Sequence, residues 1–433
     1  MFKYAFIGAG PATLSAVSDL SEVHRESTVI VEQGHGPNRP ICPALKSKSC
    51  SSCFGDLCHV TSGVGGASAS FGNKLCHFPA SDGVKELIPA FHQYEFLNRE
   101  LSKKDSAVIA YPNVPNRKTY NTNIAYKDDY TRRLESLISN AENNAEVVHS
   151  FKVKTINKIS ENHFHILSND GAVLDTENVI IATGRSGHKD LRRWLSGLDI
   201  DYQENSPDIG IRLEVPTSEL SEKFLYQNDP KFKFEFDGGL SARTFCTCIG
   251  GLIVPVKFGD GFFADGAFSR VDTGRTNIAL MARTGDLFDP VELERWCHSI
   301  NRAKNNVLEL GSFDAKGMVG ADIVQSIMDL VPDGPRVGYK IAIELMLSEL
   351  VNNHLYEMFG STKTVNGSVK IYGPSIDLYW PKVKLSKGFM TSVDGIYVIG
   401  DAAGYSRGIV QSIASGRSWA KSSIASDNVV NTA

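Results

Sequence analysis

Residues 1–32 constrain this chain more than any other stretch. Tyr4-Ala5-Phe6-Ile7 is a short apolar run that stops at Gly8-Ala9-Gly10-Pro11-Ala12-Thr13. Leu14, Val17 and Leu20 then recur at helical spacing, and Thr28-Val29-Ile30-Val31 is a second apolar run closed by Glu32. Strand, glycine turn, helix, strand and acid in that order predict a dinucleotide-binding βαβ unit. A pyrophosphate needs backbone N–H groups at close range and the positive end of a helix dipole. Gly8 permits the tight turn, Gly10 lets the backbone approach the phosphates, and Pro11 and Ala12 open the helix that points at them. Thr13 stands where the pattern has its third glycine. Glu32 is placed to accept hydrogen bonds from a ribose diol. The competing reading is a turn of the same shape that holds no nucleotide.

The rest of the chain suggests where this unit is completed. From Gly34 to Gly83 the sequence is loop-like, and helices are expected over about 84–104, broken near Pro89, and over about 126–140. Strands are expected at 146–148 and 153–159, with a hairpin around Asn169-Asp170-Gly171. Val179 to Gly184 is a buried strand ending in a small-residue turn. Between about 200 and 385 the texture becomes alternating, as in Ile209 to Val215 and Thr276 to Met281, with helices near 291–305 and 338–359. Gly250-Gly251 reads as a hairpin. Gly395 to Asp401 is again a strand running into a turn, followed by a helix from Gly408 to about Ser423. The expected division is 1–80, 141–200 and 386–433 as three parts of one nucleotide-binding domain, 81–140 as a helical segment, and 201–385 as an inserted substrate domain.

Composition narrows the function. A chain of 433 residues, 42% hydrophobic and 22% charged, is long enough for two or three ordinary globular domains. A net charge of −4 argues against a nucleic-acid coat or a polybasic membrane anchor. No run approaches a bilayer-spanning length, and the chain enters its first strand directly after Met1. Eight cysteines are too sparse for a disulfide scaffold, so a reducing, cytoplasmic setting is expected.

Two further segments bear on the cofactor. Ile180-Ile181-Ala182-Thr183-Gly184 and Val398-Ile399-Gly400-Asp401-Ala402-Ala403-Gly404 resemble the strand-and-turn segments that pass beside FAD in two-dinucleotide-binding-domain flavoproteins. With Gly63-Val64-Gly65-Gly66-Ala67, Arg185-Ser186-Gly187, Ile209 to Pro216, Arg243-Thr244-Phe245-Cys246 and Ser406 to Gln411, the chain resembles the FAD-dependent dehydrogenase group of the glutathione-reductase-like superfamily. Asn73 departs from the acid expected there, so no role is carried to it.

The resemblance implies an α/β fold: a discontinuous Rossmann-like FAD-binding domain with an inserted α+β, largely antiparallel substrate domain. It implies FAD held by Gly8, Gly10, Pro11, Ala12 and Glu32, by Gly65, Gly66 and Ala67, by the backbone of Val153, and by Ala182, Thr183 and Gly184. Gly400 and Asp401 would receive the ribityl-phosphate. Gly408, Ile409 and Val410 would aim a helix N-terminus at the flavin pyrimidine, favouring the anionic reduced ring.

Five cysteines, Cys42, Cys50, Cys53, Cys58 and Cys76, crowd one stretch. Cys42, Cys50, Cys53 and Cys58 could form a zinc or iron–sulfur site, Cys53 and Cys58 a redox disulfide, or all could be reduced thiols under a loop. No metal is assigned. Lys74 and Arg407 are the candidate catalytic residues, with His77 a weaker one. Arg185, Arg212 and Arg243 could clamp an anion or form structural ion pairs. No second Gly-x-Gly-x-x-Gly follows a strand, so electrons would come from a small-molecule substrate, a transient NAD(P)H or a protein carrier. The expected activity is hydride transfer between a small organic substrate and flavin N5, by a dehydrogenase or a C=C or C=N reductase. A single-component flavin monooxygenase or halogenase is the alternative, and an FAD-bound tRNA-modification or binding protein is the rival from another class. No nucleic acid or membrane partner is expected.

Overall fold

The computed structural model describes residues 1–433 except 21, 37–41, 44–49, 51–56, 72–73, 77–81, 89–121, 125–126, 226–228, 268–271, 286–288, 361–366, 406 and 431–433. It is a mixed α/β structure built on two large sheets. In the first, seven strands draw on the beginning, middle and end of the chain. Glu146–Val148, Thr28–Val31, Phe2–Ile7 and Val173–Ile181 lie side by side in parallel, and Ile396–Val398 adds to Val173–Ile181, also in parallel. His163–Ser168 and Val153–Ser160 extend the sheet by antiparallel pairing.

The apolar runs of these strands are continuous because both faces are covered. Side chains alternate along a strand, so Tyr4 and Phe6 face one side while Ala5 and Ile7 face the other. Tyr4 and Phe6 meet the opening helix Pro11–Asp19 and the closing helix Ile409–Val430, in a core with Leu14, Val17, Ile413 and Trp419. Ala5 and Ile7 share the opposite core with Leu191, Trp194 and Leu195 of the helix His188–Gly197.

The second sheet has six strands, all joined antiparallel, in the order Lys233–Glu235, Ser241–Cys248, Arg275–Arg283, Asp208–Pro216, Ser368–Asp377, Glu309–Asp314. The helices Pro290–Ala303, Gly320–Met328 and Val337–Glu349 share its large core. Gly320–Met328 was not legible in the sequence.

The hairpin expected at Gly250-Gly251 is elsewhere. Leu252–Phe258 pairs with Gly261–Ala267 through Gly259 and Asp260, while Gly250-Gly251 only carries the chain from the sheet into that hairpin. The expected helix over 126–140 runs from Lys127 to Asn144, and the one near 84–104 falls mainly outside the described residues.

Candidate functional site

Strand register gathers the site. Ile7 stands opposite both Val31 and Ile181, and Ile181 stands opposite Val398. Four parallel strands therefore end level, and the turns after them, which contain Gly8, Glu32, Thr183 and Asp401, meet at one edge of the sheet. Ligands of open α/β sheets bind outside such carboxyl ends.

The first turn is fitted tightly to its neighbours. Gly8 donates its N–H to the Val31 carbonyl at 2.8 Å, and at φ +103° a Cβ there would lie 2.7 Å from the Ala182 carbonyl oxygen. Thr13 fills the place of the third glycine by donating its hydroxyl to the Gly8 carbonyl at 2.6 Å. A Cβ at Gly10, by contrast, would meet nothing within 4 Å. The Glu32 carboxylate accepts from the N–H groups of Ala9, Gly34 and Gly63, each at 2.9 Å. It pins three loops together, and among the described residues one of its four acceptor positions is left over.

These turns bound a cavity of about 600 Å³ that continues to the second sheet. Its wall includes Gly8, Gly10, Pro11, Ala12, Glu32, Gly66, Ala67, Val153, Ala182, Thr183, Gly184, Gly400, Asp401, Gly408 and Ile409, with Lys74 and Arg407 on the far side. Two expected residues stand off the wall. Gly65 turns toward the helix Lys127–Asn144, where a Cβ would lie 2.9 Å from Ala69 Cβ and 3.2 Å from Leu134. Val410 packs into the core with Leu14 and Ile413. Both face the interior because the residue beside each takes the exposed side of the turn or helix.

The wall offers polar groups. Thr183 Oγ1 and Arg185 Nη1 are buried with no hydrogen-bond partner among the described residues. Asp401 accepts from Ser412 Oγ at 3.1 Å and from the Gly408 N–H at 3.3 Å, and burial raises its carboxyl above the ordinary range.

On the far side, every cation is matched. Lys74 lies 2.6 Å from Asp229; burial would lower its ammonium, but Asp229 and the neighbouring thiols more than offset that and hold it protonated. Lys231, 3.2 Å from the same Asp229, is pulled down to about 7 by burial and by Lys74. Burial pushes Asp229 up to about 6 against the pull of Lys74.

Arg407 pairs with Asp377, and Arg243 with Asp208 and Asp377. Lys231, Arg243 and Arg407 all stand within 4.6 Å of the centre of the Phe245 ring. Arg185 pairs with Asp265 at 2.5 Å. Arg212, buried off the wall, bonds Asn277 Oδ1 and the Cys246 carbonyl, a structural role. The arginines flagged in the sequence are thus held in ion pairs or backbone bonds. The partners Asp229, Lys231, Asp265 and Asp377 carried no motif that could have announced them.

His77, Ser406, Asn73 and Cys53 lie outside the described residues. Among the described residues no disulfide forms, and Cys42, Cys50 and Cys58 are not gathered into a three-ligand group. His163, His165 and Asp175 do gather, on the hairpin away from the cavity wall. No helix among the described residues is long and apolar enough to cross a membrane.

No protein-family model matches the chain, and no curated protein matches its sequence. Among solved structures it is similar to a candidate FAD-containing monooxygenase from Photorhabdus luminescens: 13% identity over 98% of this chain and 89% of that one, TM-score 0.44. It is also similar to the tetracycline destructase Tet(51), at 12% identity over 98% and 82%, TM-score 0.40. A third is P. aeruginosa PqsL in complex with 2-aminobenzoylacetate, at 13% over 97% and 85%, TM-score 0.38. Likenesses this distant carry no functional argument, so the reading of the site rests on its own residues.

Proposed function

We propose that the protein is an FAD-dependent oxidoreductase acting on a small organic molecule in this cavity. The observation that carries the proposal is the level ending of four parallel strands on one cavity, at a turn whose Gly10 leaves its side-chain direction open. The volume falls within the range of about 300–1,000 Å³ usual for ligand pockets. In this reading 1–80, 141–200 and 386–433 form a Rossmann-like cofactor domain, 81–140 is a helical segment, and 201–385 supplies the substrate side.

The residues then divide the cofactor among them. The N–H groups of Gly10 and Ala12, at the start of the opening helix, face the pyrophosphate, and the remaining acceptor position of Glu32 takes a ribose hydroxyl. Gly66 and Ala67 let the chain pass close by, the backbone of Val153 meets the adenine, and the Thr183 hydroxyl gains its missing partner. Asp401 accepts from the ribityl-phosphate portion. Gly408 and Ile409 begin the closing helix, whose dipole favours negative charge on the pyrimidine end. When bound, FAD supplies a two-electron redox centre.

Lys74 and Arg407 keep positive charge on the opposite wall, where they orient an anionic or carbonyl-bearing substrate. The proposed reaction class is hydride transfer, as a dehydrogenase or a C=C or C=N reductase. Electrons arrive with the substrate, a transient NAD(P)H or a protein carrier.

The test is an absorption spectrum of the purified protein with chromatography of the released cofactor. Flavin bands and co-migration with FAD are expected; a colourless protein that takes up no added FAD would reject the proposal. Stopped-flow reaction of the reduced protein with oxygen then separates the classes: simple reoxidation fits the dehydrogenase, and an oxygenated flavin transient would reassign it to the monooxygenases.

A further inference from the structure

The strand Ser241–Cys248 is broken at its end. Phe245 stands opposite Ala279 and Cys248 opposite Asn277, so three steps on one strand match two on its partner. Cys246 absorbs the extra residue at φ +48°, a left-handed conformation unusual for any side chain but glycine. In a regular strand, residues two apart have Cα atoms about 6.6 Å apart, near the outer limit for a disulfide. At the bulge the Cys246 and Cys248 sulfurs lie 3.9 Å apart.

Neither cysteine is inert packing. Cys246 lines the cavity, and Lys74 Nζ lies 3.7 Å from its sulfur. Cys248 is fully buried behind it, its sulfur 3.9 Å from Arg212 Nη2. The hydrogen bond from Cys248, helped by Lys74 and Arg212, outweighs burial and holds the Cys246 thiol well below its ordinary value; that bond together with burial pushes Cys248 well above it. Those opposite shifts favour ionisation of Cys246, the half-buried sulfur on the cavity, over Cys248 behind it.

We propose that Cys246 and Cys248 are a redox-active pair that cycles between the thiolate–thiol form and a disulfide, exchanging two electrons with the flavin of this cavity. The exchange rests on the proposed function; the pair itself does not. The balance closes. On oxidation the Cys248 S–H bond breaks, one S–S bond forms, and two electrons and one proton leave. Oxidised flavin takes up those two electrons and that proton to become the anionic reduced form, and the reverse step reduces the disulfide.

Two measurements test the two halves. Protein equilibrated in thiol–disulfide buffers, acid-quenched and digested with trypsin yields the peptide Thr244–Lys257, which contains both cysteines and no others. Its mass is expected to fall by two hydrogen atoms under oxidising buffer and to recover with dithiothreitol. A peptide that never changes, or one joined instead to the peptide carrying Cys76, would overturn the pairing.

Anaerobic dithionite titration of the oxidised flavin-bound protein reads the exchange. Bleaching the flavin is expected to take twice as many electrons in the wild type as in Cys248→Ser. Equal consumption, with the peptide still cycling, would overturn the exchange with flavin and leave a separate dithiol. Cycling in a protein that binds no flavin would overturn the proposed function and the exchange together, again sparing the pair.

Discussion

A methyl group added at Gly10 would meet no atom within 4 Å, whereas one at Gly8 would strike the Ala182 carbonyl oxygen. The two glycines should therefore fail in different ways. Gly10→Val keeps an allowed backbone, costs about 1 kcal/mol for a poorer helix cap, and projects its side chain into the cavity. Near-wild-type folding by circular dichroism is expected, with flavin affinity at least tenfold weaker, about 1.4 kcal/mol. Retained flavin would count against the placement of the pyrophosphate. Gly8→Val should instead lose the fold of the turn itself.

Lys231 gives a pH signature at the same scale. Its folded value is about 7, while an unfolded lysine keeps its proton to about 10.5. Between those values the unfolded chain binds more protons, so stability rises with pH, by at most about 1.4 kcal/mol per pH unit. Urea unfolding in that window should show a shallower rise for Lys231→Met than for the wild type. Parallel slopes would mean that Lys231 stays charged.

At the scale of elements, the opening and closing helices are matched to each other. A Cβ at Gly416 would lie 2.0 Å from the Ala12 carbonyl oxygen, so Gly416 is where the two backbones approach. Trp419 is fully buried, edge-on to Tyr4, Phe6 and Tyr397 at 5.1–5.8 Å. Gly416→Val should cost about 1–3 kcal/mol by overpacking, and Trp419→Ala about 3–5 kcal/mol by leaving a cavity. Both are measurable by denaturant titration, and values near zero would show that the closing helix adds little to the first sheet.

These contacts also show what the sequence could disclose. Local signals were legible: the runs at 4–7, 28–31, 179–184 and 395–401 each form a strand ending in a turn, because period and glycine placement are written within a few residues. Thr13 could be noticed but not explained, since its acceptor is the Gly8 carbonyl, set by the folded turn. The ion-pair wall was hidden for a deeper reason: Lys74 meets Asp229, and Arg407 meets Asp377, only once the two sheets face each other. The sulfur pair was visible as Cys246-Thr247-Cys248, yet nothing local said that the strand would bulge there.

Over the whole molecule, the two sheets carry separate cores and meet at the cavity. Asp265, on the hairpin strand Gly261–Ala267, faces Arg185 from the turn after the first-sheet strand Val173–Ile181, Arg407 from the entry to the closing helix, and Arg212 from the second sheet. Burial would raise its carboxyl, but the three guanidiniums hold it well below its ordinary value. Asp265→Ala takes the paired carboxylate from buried Arg185 and should cost about 3–5 kcal/mol in denaturant. The wild-type contribution is present above the unfolded value of 3.8 and is lost on acidification through the lower folded value. The variant's stability should thus fall less steeply in acid, and an unchanged acid profile would remove Asp265 from this role.

The level strand ends also impose an order in time. A ribosome delivers Gly8 and Glu32 long before Asp401 and the helix that roofs Tyr4 and Phe6. A nascent chain halted before Ile396 has neither the final strand of that sheet nor its cover. A ligand that touches all four turns therefore waits for the last of them, and its capture follows the synthesis of both flanks of that sheet.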